Sequence, residues 1–171
     1  MRTILGVIIL AVIIGAGWYI YDRQNKVIVF NDQIVELMTQ TNTYFNGYIN
    51  HLDKYYKGET IDIAQMKTEL DKLGKNTDSV MTTAKQIAVP DHPECREFYS
   101  AFTKYLEYNS YIVAAYGAVM DYIESHNPGT ENNFIEVDTI LDPFISGDDA
   151  LFQEIATTQE EMAKIFDFRL E

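Results

Sequence analysis

Cys95 is the only thiol in 171 residues, and Asp91-His92-Pro93-Glu94-Cys95 sets an imidazole, two carboxylates and that thiol within five positions. A thiol in the first turn of a helix is acidified by the helix dipole and by a nearby imidazolium, which favours thiolate chemistry or an intermolecular disulfide. Cys95 also lies on an apolar helical ladder, where a free Cys acts as a small hydrophobe. The second reading is the stronger.

Other catalytic constellations are missing from the sequence. A carboxylate-bridged di-iron bundle needs two Glu-x-x-His motifs. Glu124-Ser125-His126 has the wrong spacing and ends a helix. One Cys excludes haem attachment through Cys-x-x-Cys-His and any Cys-rich metal site. There is no His-Glu-x-x-His, P-loop, Gly-x-Ser-x-Gly or EF-hand calcium loop. The chain reads as a non-enzyme with no cofactor and no resident metal.

Charge narrows the partners. Thirteen Lys and Arg stand against 26 Asp and Glu, a net charge of −13. Nucleic acid is excluded, because a phosphate backbone is gripped by clustered cations. From Asp121 to Glu171 there are 13 acidic residues and two basic ones, so the last third carries most of the charge. A solvated acidic face accounts for this. A basic protein partner, or weak divalent-cation binding along Asp138, Asp142, Asp148 and Asp149, is the functional alternative.

Twelve tyrosines make recognition the remaining chemistry, and six of them, Tyr99, Tyr105, Tyr108, Tyr111, Tyr116 and Tyr122, fall in one helical stretch. Rigid aromatic rings supply contact area at low entropy cost. Tyr105 and Tyr116 sit on the core ladder. Tyr108, Tyr111 and Tyr122 lie off it and are the expected partner-binding residues, together with Phe144 and Ile145 in an expected break near the end of the chain. The competing reading has these rings packing the flank of a wide core stripe.

The elements that must position these groups begin with a membrane signal. Ile4 to Ile20 contains no charged residue. Seventeen helical residues span about 26 Å, close to the hydrocarbon thickness of a bilayer. Trp18, Tyr19 and Tyr21 follow as a membrane-interface belt. Residues 1–22 are therefore expected to form a transmembrane signal-anchor, with the bilayer as partner of residues 4–20. A cleaved signal peptide, with Gly15-Ala16-Gly17 at the cleavage region, is the rival. The anchor is preferred because the apolar run continues past those small residues. Arg2 before the span and Arg23 and Lys26 after it do not fix orientation by charge. The short basic start places the N-terminus in the cytoplasm and residues 23–171 outside it, in the periplasm or on the cell surface.

Residues 23–171 divide into four helical stretches. The first follows Val27, Phe30, Ile34, Leu37, Thr41, Tyr44, Tyr48, Leu52 and Tyr55, alternating steps of three and four. The second opens on a capping box at Asp62 and Gln65 and runs toward Val89-Pro90. A second box, at Asp91 and Glu94, opens the third. Its ladder is Cys95, Phe98, Phe102, Tyr105, Asn109, Ile112, Tyr116, Val119 and Ile123, in which Asn109 is the one amide and is expected to fix register. His126-Asn127-Pro128-Gly129 ends it. The last stretch holds a segment from Phe134 to Leu141 that suits helix or strand. A break near Pro143–Gly147 follows, and then a helix on Leu151, Ile155, Thr158, Met162, Ile165 and Arg169.

The expected fold is all-α: a transmembrane helix, then an antiparallel up-and-down four-helix bundle whose last helix is broken near Pro143–Gly147. The expected function is a membrane-anchored protein–protein interaction module, an accessory or scaffold subunit of a membrane complex. An extracytoplasmic ligand-sensing bundle that signals through a membrane partner is the alternative.

Overall fold

The computed structural model describes the backbone of residues 2–126 and 131–170, and the side chains of 22–126 and 134–170 except 145, 146, 148 and 149. Four α-helices account for nearly all of it, with no strand among the described residues: α1 (Arg2–Tyr56), α2 (Ile63–Ala84), α3 (Pro93–Ser125) and α4 (Glu131–Phe166).

Local chemistry sets the helix ends. Gly58, with φ of 67°, takes the left-handed turn after α1, and the Glu59 amide donates to Lys54 O at 3.0 Å. This is the glycine-dependent close of a helix. Asp62 caps α2 by accepting from the Gln65 amide at 3.0 Å. The second expected box does not form. His92, not Asp91, is the residue before α3, Pro93 occupies the first turn, and Asp91 instead accepts from Arg96 at 2.6 Å. Pro in the first turn needs no N–H donor, so the helix starts without a side-chain cap. At the far end Asp167, with φ of 52°, closes α4, and the Phe168 amide donates to Ala163 O at 3.2 Å.

The expected break in the last helix is corrected: α4 runs without interruption through Pro143 and Gly147, and the helix-or-strand segment from Phe134 is its first turns. Proline removes one backbone donor and crowds the carbonyl four residues earlier, at a cost of about 3 kcal/mol. Val137, Leu141, Phe144 and Leu151 all pack into the bundle from either side of the proline. That packing outweighs the local cost, as tertiary contacts commonly override propensity.

Cross-helix contacts show the directions. Lys67 meets Glu124 at 2.6 Å and the Tyr99 hydroxyl donates to Ala84 O at 2.9 Å, so α2 and α3 are antiparallel. Lys104 meets Glu154 at 2.6 Å while Tyr108 reaches Phe144 O at 3.0 Å, so α3 and α4 are antiparallel too. Phe30 packs edge-on to Phe98 at 5.9 Å and Tyr48 lies 4.7 Å from Tyr116, so α1 and α3 run the same way across the centre. The helices thus go up and down in chain order. Their core falls into two stacked clusters. One centres on Phe30, Ile34, Phe98 and Phe102, and the other on Tyr48, Met66, Leu73 and Val119.

All nine ladder residues of α3 are buried, as are eight of the nine named on α1. The α4 ladder slips at its end: Ile165 is 53% exposed and Phe166 is buried. An α-helix has 3.6 residues per turn, so a strict three–four pattern drifts round its surface.

Among the described residues no helix is long and apolar enough to cross a membrane. The side chains of the Ile4–Ile20 run, and of Trp18, Tyr19 and Tyr21, lie outside the described set.

Candidate functional site

Cys95 is wholly buried in the first core cluster. Burial first, and the Glu94 carboxylate second, push its thiol up to about 11, against an opposing pull from Arg23 and Arg96. The thiol is therefore protonated at neutral pH and is no nucleophile. Glu94 is engaged by His92 Nδ1, whose ring packs edge-on to Phe166 at 4.8 Å. The constellation that looked reactive is part of the bundle's end. Among the described residues no group of three or more His, Cys, Asp or Glu converges on one point.

Asn109 is buried in the centre of α3, and its Nδ2 has no hydrogen-bond partner among the described residues. A buried, unpaired amide donor costs about 1–3 kcal/mol. Tyr48, in the second core cluster, is also desolvated. Burial raises the Tyr48 hydroxyl well above its ordinary range, and the neighbouring Tyr116 adds to this. The Tyr48 phenol stays neutral and serves packing.

The predicted contact residues separate. Tyr111 alone of the tyrosine trio stands in solvent, 63% exposed. Tyr108 is half-buried against α4, where its hydroxyl donates to Phe144 O at 3.0 Å and its ring lies 6.3 Å from that of Phe144. Phe144 is itself half-buried in the second core cluster. Tyr122 is half-buried and stacks on His126 at 4.2 Å. The Ile145 side chain lies outside the described set. The structure therefore brings Tyr108 and Phe144 together and leaves Tyr111 apart from them.

Sequence reasoning missed a groove between α1 and α4. It encloses about 600 Å³ and has a mixed lining: apolar Ile28, Val35, Met38 and Phe152, polar Asn31, Thr39, Asn42 and Gln159, the charged pair Asp32 and Arg169, and Phe168 and Leu170 of the C-terminal tail. α1 and α4 approach each other less closely than successive helices do. Polar ties join them at three heights. Gln24 Nε2 donates to Phe166 O at 3.0 Å, Gln159 Nε2 to Asn31 Oδ1 at 2.7 Å, and the Tyr56 hydroxyl to Asp138 at 2.6 Å. Tyr56 is held neutral, chiefly by desolvation and then by this bond. Exposed Val35 and Phe152 face an open channel between these ties.

No family model, no curated protein and no solved structure matches this chain.

Proposed function

We infer that the protein is a non-enzymatic, membrane-anchored helical contact module, an accessory or scaffold subunit of a membrane complex. The observation that carries this reading is the continuity of α1 from Arg2 to Tyr56. A single helix of 55 residues reaches about 80 Å at 1.5 Å per residue. The uncharged run Ile4–Ile20 occupies its start, and the first core ladder, from Val27, occupies its remainder. Such a helix would hand a membrane span directly to a bundle as a stiff stalk, with residues 23–171 outside the cytoplasm. The protonated, buried Cys95 supports a role without covalent chemistry.

The test is fractionation of native membranes. The full chain stays in the pellet through carbonate and high-salt washes, and protease added outside intact cells digests residues 23–171. Release by carbonate, or a mature N-terminus at Gly17 or Trp18, overturns the anchor. Protection of the bundle overturns the orientation. Co-purification with one stoichiometric membrane partner is the expected outcome for an accessory subunit.

A further inference from the structure

Among the described residues four polar side chains are buried, and three of them, Thr41, Thr77 and Asn109, lie at one height of the bundle. Phe30 meets Phe98 and Tyr48 meets Tyr116, both pairs 68 positions apart, and Thr41 and Asn109 are 68 apart too. On α2, Gly74 faces the Val113 side chain and Ala84 O accepts from Tyr99, which sets Thr77 opposite Asn109. On α4, Gly147 lies under Tyr108, the residue before Asn109. This height is also the seam of the core. The cluster with Phe30 and Phe98 stops at Leu37, Val80 and Leu106, and the cluster with Tyr48 and Val119 starts at Phe45, Leu73 and Ile112. Among the described residues only Tyr44 packs against both.

Each helix is weakened there in its own way. The Thr41 and Thr77 hydroxyls donate to Leu37 O at 2.8 Å and Leu73 O at 2.9 Å, a bond within the helix that favours bending. Asn109 Nδ2 is buried without a partner among the described residues. Pro143 takes one donor out of the α4 ladder, and Gly147 follows it one turn later. Local opening starts where apolar packing is thin and backbone bonds are few. The two halves are also unequal. The Tyr48 and Tyr55 hydroxyls, both in the second cluster, are buried with no hydrogen-bond partner among the described residues, which weakens that half. The first half is tied by Lys104 to Glu154 and by Gln159 to Asn31.

We propose that the level of Thr41, Thr77, Asn109 and Gly147 is a hinge plane, across which the half built on Tyr48 and Val119 opens as a cooperative unit while the half built on Phe30 and Phe98 stays closed. Tyr108, seated over Gly147, latches the plane by holding α4 to α3. The device lies inside the bundle and does not depend on the membrane reading.

The experiment is native-state hydrogen exchange on the full chain in detergent, followed by mass spectrometry of overlapping peptides at rising, sub-denaturing urea. Amides on the Tyr48 side exchange at least about tenfold faster than those on the Phe30 side. The step falls between Leu37 and Phe45, between Leu73 and Val80, and between Leu106 and Ile112. Equal protection of both halves, a smooth gradient from the helix ends, a step at another height or faster exchange on the Phe30 side overturns the hinge. Two variants test its cause. Asn109→Leu and Thr77→Val make the plane apolar and cut the step to about threefold or less, because joined packing makes the halves open together. If Asn109→Leu overfills the core, Thr77→Val, which keeps the shape and removes only the hydroxyl, carries the test. A general change in stability moves both halves alike, so a step that survives unchanged in the folded variants overturns the polar plane as the hinge.

Discussion

The Tyr108 hydroxyl lies directly over Gly147, in the space that a Cβ on that residue would fill. Gly147 is helical, so the glycine is there for close approach and not for a turn. Tyr108 donates to the neighbouring Phe144 carbonyl at 3.0 Å and lies near Pro143 O at 3.4 Å. Pro143 and Gly147 read together as a breaker, but they form a slot in which an aromatic ring of α3 anchors the middle of α4.

This slot predicts a reversal of sign. In an ordinary helix Gly→Ala stabilises by up to about 1 kcal/mol. Gly147→Ala should instead destabilise by about 1–2 kcal/mol, because Tyr108 must leave, losing a hydrogen bond worth about 1 kcal/mol and part of its packing. Thermal melting should fall by about 3–6 °C. In a Tyr108→Ala background the same change should raise melting. A rise in both backgrounds would refute the slot.

What the sequence made legible follows from what is local. Every ladder residue from Cys95 to Ile123 is buried because α3 packs against both neighbours along its length, so its period was complete. Asp62 was readable as a cap because a cap needs only its own turn. Tyr108's partner was not readable, since Gly147 is 39 positions away and nothing local ties them. The groove was hidden for a different reason. Its stripe on α1 includes Asn31 and Asn42, so hydrophobic periodicity overlooked it, and the spacing of α1 from α4 is a tertiary quantity.

Tyr108 and Tyr111 should behave differently under truncation. Tyr108→Ala and Phe144→Ala remove half-buried rings and should each lower melting by several degrees. Tyr111→Ala, at a position 63% exposed, should leave stability within about 0.5 kcal/mol. If Tyr111 is an interface anchor, partner affinity falls by about 2 kcal/mol in that variant alone. Equal losses of melting for all three would place Tyr111 in the core and contradict its exposure.

Alkaline pH should weaken the fold, starting with Cys95. Its thiol is raised from 9.0 to about 11 in the folded chain, so between those values the unfolded chain releases a proton that the folded chain keeps. Stability is full below about pH 9 and falls as pH rises toward about 11. The tyrosines act in the same direction, because desolvation raises Tyr48, Tyr55 and Tyr99 above 10.0. Cys95→Ala should therefore delay the fall to about pH 10, read from denaturant midpoints at each pH. Native Cys95 should also resist alkylation at pH 8 and react on unfolding. Rapid modification of the folded chain would show that the thiol is not sealed.

The two aspartates that open on similar sequence patterns should differ in energy. Asp62 Oδ1 accepts the Gln65 amide at 3.0 Å, which satisfies one of the donors that a helix start leaves open. Asp62→Ala should cost about 1 kcal/mol, within the usual range for losing a cap. Asp91 caps nothing; its carboxylate is almost fully exposed and accepts only from the side chain of Arg96. Exposed ion pairs contribute about 0–1 kcal/mol and are screened by salt. Asp91→Ala should therefore change stability by a few tenths of a kcal/mol, and less at high salt. Asp62→Ala should keep most of its loss at high salt, because the hydrogen bond to the Gln65 amide survives screening and only the carboxylate's attraction to the helix dipole is weakened. Denaturant melts of both variants at two salt concentrations separate the cases. A salt-independent loss near 1 kcal/mol at Asp91 would mean that α3 begins one residue earlier and is capped after all.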